Sequence, residues 1–355
     1  MSEDSTITEV TLVWIKKQMD LLGKAANFVT LMTLAVAEKR TDAMAFIISQ
    51  RPDLTADIDT KDEEGETLLH FAAYGGHLEA MQWLVTRGAK VEAKNNSGQT
   101  ALFILACGGH TKALEWLVKE RAADVNAKND VGRTAMHLAA HVGQIESMKC
   151  LVELKADVNV KDDVGVTPIG CAAEAGQIES IKYLNGLDAD LEAKDNEGRT
   201  PIFLAAMCGQ VESIKCLAAL KADIMAKDNN GAAPMYWAAM AGQVESIKCL
   251  VALGADVNAN DNFGMTAMFP AAGCGQTESI ECLATLGANV NAESRNGMTP
   301  IFIAVSEGHI ETMKCLKTLG AKINLKAQGD MTPLEFAIKN DQMEAAEWLR
   351  ASGAL

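Results

Sequence analysis

The chain has 355 residues and a net charge of −15, from 47 acidic against 32 basic side chains, and no basic stripe of the kind a nucleic-acid scaffold needs is visible along it. No apolar run approaches the roughly 18 residues that cross a bilayer, so no membrane insertion is expected. The Met-Ser-Glu-Asp start lacks a basic region followed by an apolar one, which points to a cytoplasmic or nuclear location.

Residues 1–29 precede the main pattern. Ile7, Val10, Trp14, Leu21 and Leu22 predict an amphipathic helix from about Thr8 to Gly23. It reads either as a lid on the next unit or as a partner or dimerisation helix. The lid is expected, because an exposed apolar end is a liability. Residues 30–64 look like a degenerate copy of the later units. Thr30 aligns with Thr67, and Ala43-Met44 with Ala80-Met81, both 37 residues apart, which fits an insertion near Gln50 to Asp53. The acidic stretch Asp53 to Glu66 reads as a solvated hairpin.

From Gly65 a glycine returns at Gly98, Gly132, Gly165, Gly198, Gly231, Gly264 and Gly297, every 33 residues with one spacing of 34. Asp330 takes the next slot. Self-similarity at this period predicts a stacked solenoid across residues 65–329, closed by a capping unit at 330–355. The unit from Asp195 to Lys227 shows the logic. Asp195-Asn196-Glu197-Gly198 is a turn pattern. Thr200 then caps a helix and Pro201 opens it, a slot that holds five of the seven prolines. The second helix, Gln210 to Leu220, turns Val211, Ile214, Leu217 and Ala218 inward. Glu212 and Lys215 are expected on its outer face, and so are Ser213 and, one unit on, Ser246. The 264–296 unit departs from the pattern. Pro270 falls four residues after Thr266, where a backbone N–H should be bonded, so this repeat is expected to be locally distorted.

Gly-x-Thr-Pro, the Gly-His/Gln-x-Glu element, Gly254-Ala255-Asp256-Val257-Asn258-Ala259, and the variants Thr67-Leu68-Leu69-His70 and Thr134-Ala135-Met136-His137 together resemble the ankyrin repeat. The resemblance runs from about Thr30 to the C-terminus. It implies an all-α ankyrin solenoid whose concave surface, lined by hairpins and first helices, binds other proteins. It also implies that His70 and His137 tie adjacent loops by hydrogen bonds. His77, His110 and His309 are implied to be structural between helices. Asn126, Asn159, Asn258 and Asn291 occupy a slot that an oxygenase can hydroxylate in the family. Turn hydrogen bonding is their default role here.

Nothing in the chain assembles chemistry. Cys150, Cys216, Cys249, Cys282 and Cys315 share one second-helix slot, with Tyr183 in it once. Neighbouring helices stand about 8–10 Å apart, too far for the roughly 4.4–6.8 Å that a disulfide requires. Free, packed thiols are therefore expected. No close Cys-x-x-Cys pair offers a zinc site. His141 falls on the expected concave face without a partnered nucleophile. Neither cofactor, metal nor catalytic residues are expected.

The partner face implied by the resemblance draws on Val164, Val166, Arg199, Met207, Cys208, Met240, Ala241, Phe263, Met265, Cys274 and Met298, with Asn230 and Ala232 in the same slots. It is apolar for an exposed surface, which marks an interaction site. The expected function is a non-catalytic scaffold or adaptor, monomeric, with a protein partner. Inhibition of a partner enzyme and a structural or elastic spacer are the alternatives.

Overall fold

The structure is a computed structural model that describes residues 9–22, 28–49, 58–327 and 330–354. Among the described residues every regular element is an α-helix, and the chain divides into two compact units, Met1–Asp163 and Val164–Leu355.

The first unit contains α1 (Glu9–Leu22), α2 (Phe28–Ala37), α3 (Thr41–Ser49), α4 (Leu68–Tyr74), α5 (Leu78–Thr86), α6 (Ala101–Gly108), α7 (Thr111–Arg121), α8 (Ala135–Val142) and α9 (Ile145–Glu153). First helices pack serially, α2 on α4 on α6 on α8, and second helices follow beside them, α3 on α5 on α7 on α9. The α2–α3 pair therefore stacks as the later pairs do. Helix α1 lies against α2 and α3, with Ile15 buried, the Trp14 indole donating to Glu38, and the Arg40 guanidinium 5.4 Å from the Trp14 ring centre. Ile7 and the insertion near Gln50 to Asp53 lie outside the described residues.

The second unit contains α10 (Pro168–Glu174), α11 (Ile178–Asn185), α12 (Pro201–Met207), α13 (Val211–Ala219), α14 (Pro234–Met240) and α15 (Val244–Ala252). It continues with α16 (Met268–Gly273), α17 (Thr277–Thr285), α18 (Pro300–Ser306), α19 (Ile310–Thr318), α20 (Pro333–Lys339) and α21 (Met343–Ala351). The same alternation holds, with even-numbered helices stacked on even and odd on odd.

Local chemistry explains each unit. Asp195 Oδ1 accepts the N–H groups of Glu197 at 2.9 Å and Arg199 at 2.8 Å, which fixes the turn. Gly198 closes it at φ 81°, and a Cβ there would lie 2.7 Å from the backbone nitrogen of Asn229 in the next hairpin. Asp330, in the same register, takes φ 63° without being glycine. Thr200 enters the helix extended, at φ −94° and ψ 170°, and Pro201 stands at the first helical position.

Hydrogen bonds then tie unit to unit. His70 Nδ1 accepts from the Thr67 N–H at 3.0 Å, so its Nε2–H donates to the Gln99 carbonyl at 3.1 Å in the next hairpin. His110 and His309 reach back to the carbonyls of Tyr74 and Gly273 at 3.1 and 3.0 Å. Asn258 and Asn291 each accept a backbone N–H of the following repeat at 2.8 Å, from Asn289 and Lys322. Lysines form a ladder: Lys61 Nζ donates to the Lys94 carbonyl, Lys94 to Lys128 and Lys128 to Lys161. In the second unit Lys194 donates to Lys227 and Lys227 to Asn260.

Three local results correct or refine the sequence reading. Ser213 and Ser246 are fully buried, not on the outer face. They sit one residue before Ile214 and Ile247, on the side of the helix turned into the stack. Only Glu212 and Lys215, and their counterparts, remain outside, paired at 2.6–2.7 Å. Helix α16 has six residues where α12 has seven. Pro270 has no N–H to give the Thr266 carbonyl, yet Ala267 keeps helical angles, so one bond is lost while the path survives. The single 34-residue spacing is absorbed in α7, which runs to eleven residues where α5 has nine.

Candidate functional site

The residues of the expected partner face fall into three groups. Val164 and Phe263 stand out at hairpin tips, 56% and 54% exposed, and Cys274 is exposed at the end of α16. Met207, Cys208, Met240, Ala241, Met265 and Met298 are half-buried. Val166 is buried, 7% exposed, in a cluster with Cys171 and Leu204 against which Met207 packs. Its position explains this. Val166 precedes the cap Thr167 and Cys171 is the fourth helical residue, the pairing of a hydrophobic staple. Val166 therefore belongs to the core and offers a partner nothing.

Arg199 is also engaged within the chain. Its Nε donates to Asp195 Oδ2 at 2.8 Å, a second nitrogen lies 3.1 Å from Glu197, and the guanidinium sits 5.0 Å from the Trp237 ring centre. The carboxylates and the indole hold it flat against the hairpin.

One unit further on, a hollow of about 350 Å³ opens between two hairpins. Ala232, Tyr236, Trp237, Asp261, Phe263 and Met265 line it, with Asp228 at its edge. Asp228 Oδ1 accepts the N–H groups of Asn230 and Ala232, and its Oδ2 accepts the Trp237 indole N–H at 2.9 Å. Asp261 Oδ1 fixes the next turn through Phe263 and Met265 at 2.8 and 2.9 Å. Burial raises the Tyr236 hydroxyl above its ordinary range, and the Asp261 and Asp228 carboxylates push it the same way. The slots implied by resemblance led to Ala232, Phe263 and Met265. Tyr236 and Trp237 were missed because interior positions of a first helix read as core. The visible signal is Trp237 in the slot that holds Leu204 one repeat earlier.

The repeated turns, caps and paired helices have a counterpart in known families. A family model described as ankyrin repeats in three copies matches residues 31–129, 124–195, 171–261, 204–294, 238–327 and 268–354. The chain belongs to the ankyrin repeat family. A comparison with curated proteins found no match. Ankyrin repeats generally mediate protein–protein interaction and are typically non-enzymatic.

Within this ankyrin array none of the nine cysteines forms a disulfide. Burial pushes the Cys107 thiol up to about 11, and burial likewise raises Cys216, Cys249 and Cys282 in the shared second-helix slot. Cys150 and Cys315 are raised first by burial and then by Glu115 and Glu281. These thiols are protonated packing groups, the opposite of the thiolate that nucleophilic or redox chemistry requires. Among the described residues no three His, Cys, Asp or Glu side chains converge as a metal ion requires, and no helix is long and apolar enough to cross a membrane.

Proposed function

We propose that this ankyrin chain is a non-catalytic adaptor that binds a protein partner through the hairpin tips and first-helix face of its second unit. The observation that carries the reading is Phe263. A large apolar side chain stands 54% exposed on a turn held by two hydrogen bonds to Asp261, beside the hollow that Met265 helps to line. An apolar anchor on a rigid tip loses little entropy on binding, and binding energy concentrates at such anchors.

The net charge of −15 favours a basic protein surface over nucleic acid. Nine cysteines without a disulfide fit a reducing, cytoplasmic setting. In the same reading the chain acts as a monomer. Helix α1 serves as its lid and residues 330–355 as its terminal cap.

The test is a double variant, Met240→Asp with Phe263→Asp, against a control, Glu212→Ala with Glu245→Ala, on the exposed outer face. Both are used as bait beside the unaltered chain, with retained proteins quantified by mass spectrometry. The expected result is a main partner lost about tenfold or more by the double variant, because a charge in a desolvated contact is costly, and kept by the control. A partner kept by the double variant and lost by the control would place the binding face on the outer side. A melting temperature far below that of the unaltered chain would show that Met240 and Phe263 are core.

A further inference from the structure

Five hairpins open with an aspartate: Asp62 first, and then four in succession, Asp162, Asp195, Asp228 and Asp261, each 33 residues after the last. In three of the four successive ones the second carboxylate oxygen has a side-chain donor. Asp162 Oδ2 accepts from Arg133 Nε at 3.1 Å, from a residue 29 positions earlier. Asp195 Oδ2 accepts from Arg199 Nε at 2.8 Å, four positions later. Asp228 Oδ2 accepts from Trp237 Nε1 at 2.9 Å, nine positions later. An asparagine in the same slot shows the first offset again, since Asn95 Nδ2 donates to Glu66, 29 positions earlier, at 2.8 Å.

Asp261 lacks all three donors. The residue 29 positions earlier is Ala232, the one four later is Met265, and the one nine later is Pro270. None of these side chains can donate. No donor among the described residues reaches Asp261 Oδ2, although Asp261 is only 9% exposed. The slot from which Arg133 serves Asp162 holds Ala232 beside Asp261, and there the hollow of about 350 Å³ opens, walled by Tyr236, Phe263 and Met265. Asp261 Oδ2 opens into this hollow without an intrachain donor, so a cation that enters meets an unpaired carboxylate in a partly desolvated setting, where a charge-assisted hydrogen bond is strong.

We infer that this hollow receives an arginine side chain from the protein partner, its guanidinium donating to Asp261 Oδ2 and its flat face lying on Tyr236 and Phe263. The inference rests on the adaptor reading of the same face. Arginine is favoured over lysine because its planar fork both stacks on rings and pairs with carboxylate. Both intrachain cations that serve this row of aspartates are arginines, Arg133 and Arg199. The acidic chain adds long-range attraction for such a partner.

The probes are N-acetyl-arginine methylamide and its neutral isostere N-acetyl-citrulline methylamide. Each is titrated into the full chain carrying labelled tryptophan indoles and methionine methyls. The expected result is saturable movement of the Trp237 indole and Met265 methyl signals with the arginine compound, and binding about tenfold weaker with citrulline. Asp261→Asn is expected to weaken arginine binding by about tenfold. That variant retains the turn, because Asn95 and Asn129 hold the same turn through their own side-chain oxygens. Ala232→Arg fills the hollow from within and is expected to abolish binding. Absent shifts, equal binding of the two compounds, or unchanged binding by Asp261→Asn would each overturn the inference. A partner lost on Met240→Asp with Phe263→Asp, combined with an arginine compound that does not bind, overturns the arginine site and leaves the face intact. A bound arginine compound with a partner indifferent to those two changes overturns the face instead.

Discussion

The repeats at 195–227 and 261–293 have the same length and the same frame. Asp195 and Asp261 hold their turns through matching pairs of hydrogen bonds, and Gly198 and Gly264 close them at φ 81° and 79°. Phe203 and Phe269, Ser213 and Ser279, Ile214 and Ile280, and Leu217 and Leu283 are buried alike. The two then diverge at Arg199 against Met265, Leu204 against Pro270, Met207 against Gly273 and Lys221 against Gly287. The first set faces the neighbouring repeats and repeats because they do. The second set mixes positions at the hairpin and the helix ends, Arg199 and Lys221, with Leu204 and Met207, which pack on Val166 of the preceding repeat and still differ from Pro270 and Gly273. The buried frame of Phe203, Ser213, Ile214 and Leu217 is thus held constant at 33-residue spacing while the positions around it vary.

The strongest test of the shared frame is charge at the buried serines. Ser213→Asp and Ser279→Asp are each expected to cost about 3 kcal/mol or more, because an unpaired carboxylate would be buried in the stack. Urea unfolding should show similar losses, and an undiminished midpoint for either variant would break the equivalence of the two repeats. Exchanging the helix starts sharpens the contrast. Leu204→Pro is expected to cost about 3 kcal/mol in the regular repeat. Pro270→Leu should add about 1 kcal/mol by restoring the bond to the Thr266 carbonyl. Amide exchange should be faster across 265–275 than across 199–209, and Pro270→Leu should remove the difference. Equal protection in the unaltered chain would mean that packing has absorbed the missing bond.

The helix ends give a smaller effect. Lys221 holds φ 77° and Gly287 holds φ 91° in the same slot, with no atom within 4 Å of a Cβ at 287. Gly287→Lys is expected to cost about 1 kcal/mol from backbone strain alone. Lys221→Gly should gain about 0.5 kcal/mol, the relief of strain being partly offset by a freer unfolded chain. A reading with no change in stability comes from Cys208 and Cys274, which share a slot. Cys208 is half-buried and its thiol is raised by burial and by Glu174, while Cys274 is exposed. Iodoacetamide at pH 8 should modify Cys274 several-fold faster, and the reverse order would contradict the placement of the two side chains.

What the sequence made legible follows the same division. The glycine period placed the hairpin turns from Gly65 to Gly297, and Asp330 in the glycine slot does take the left-handed backbone that the register demands. Five prolines and the threonine caps placed the first helices to within a residue. Ser213 was misread because a small polar side chain at a helix boundary face carries no sign of which way it turns. Val166 was misread because an apolar residue beside a hairpin looks exposed until its staple partner Cys171 is seen. The hollow was half legible, since Ala232, Phe263 and Met265 lay in expected contact slots. The open carboxylate of Asp261 was not, because it depends on three donors being absent together, and each absence is unremarkable alone.

The lysine ladder sets a rule for how such a chain changes length. Each rung joins a side chain to the carbonyl at the same slot of the next repeat, from Lys61 to Lys94 in the first unit and from Lys194 to Lys227 in the second. Inserting or deleting one whole repeat leaves every rung with a partner of the same kind. Inserting a few residues between rungs does not, unless they are stored away from the hairpin, as the extra residue of α7 is. The ladder acts as a ruler with a fixed graduation, so this chain can gain or lose length in units of a repeat while its joints stay matched.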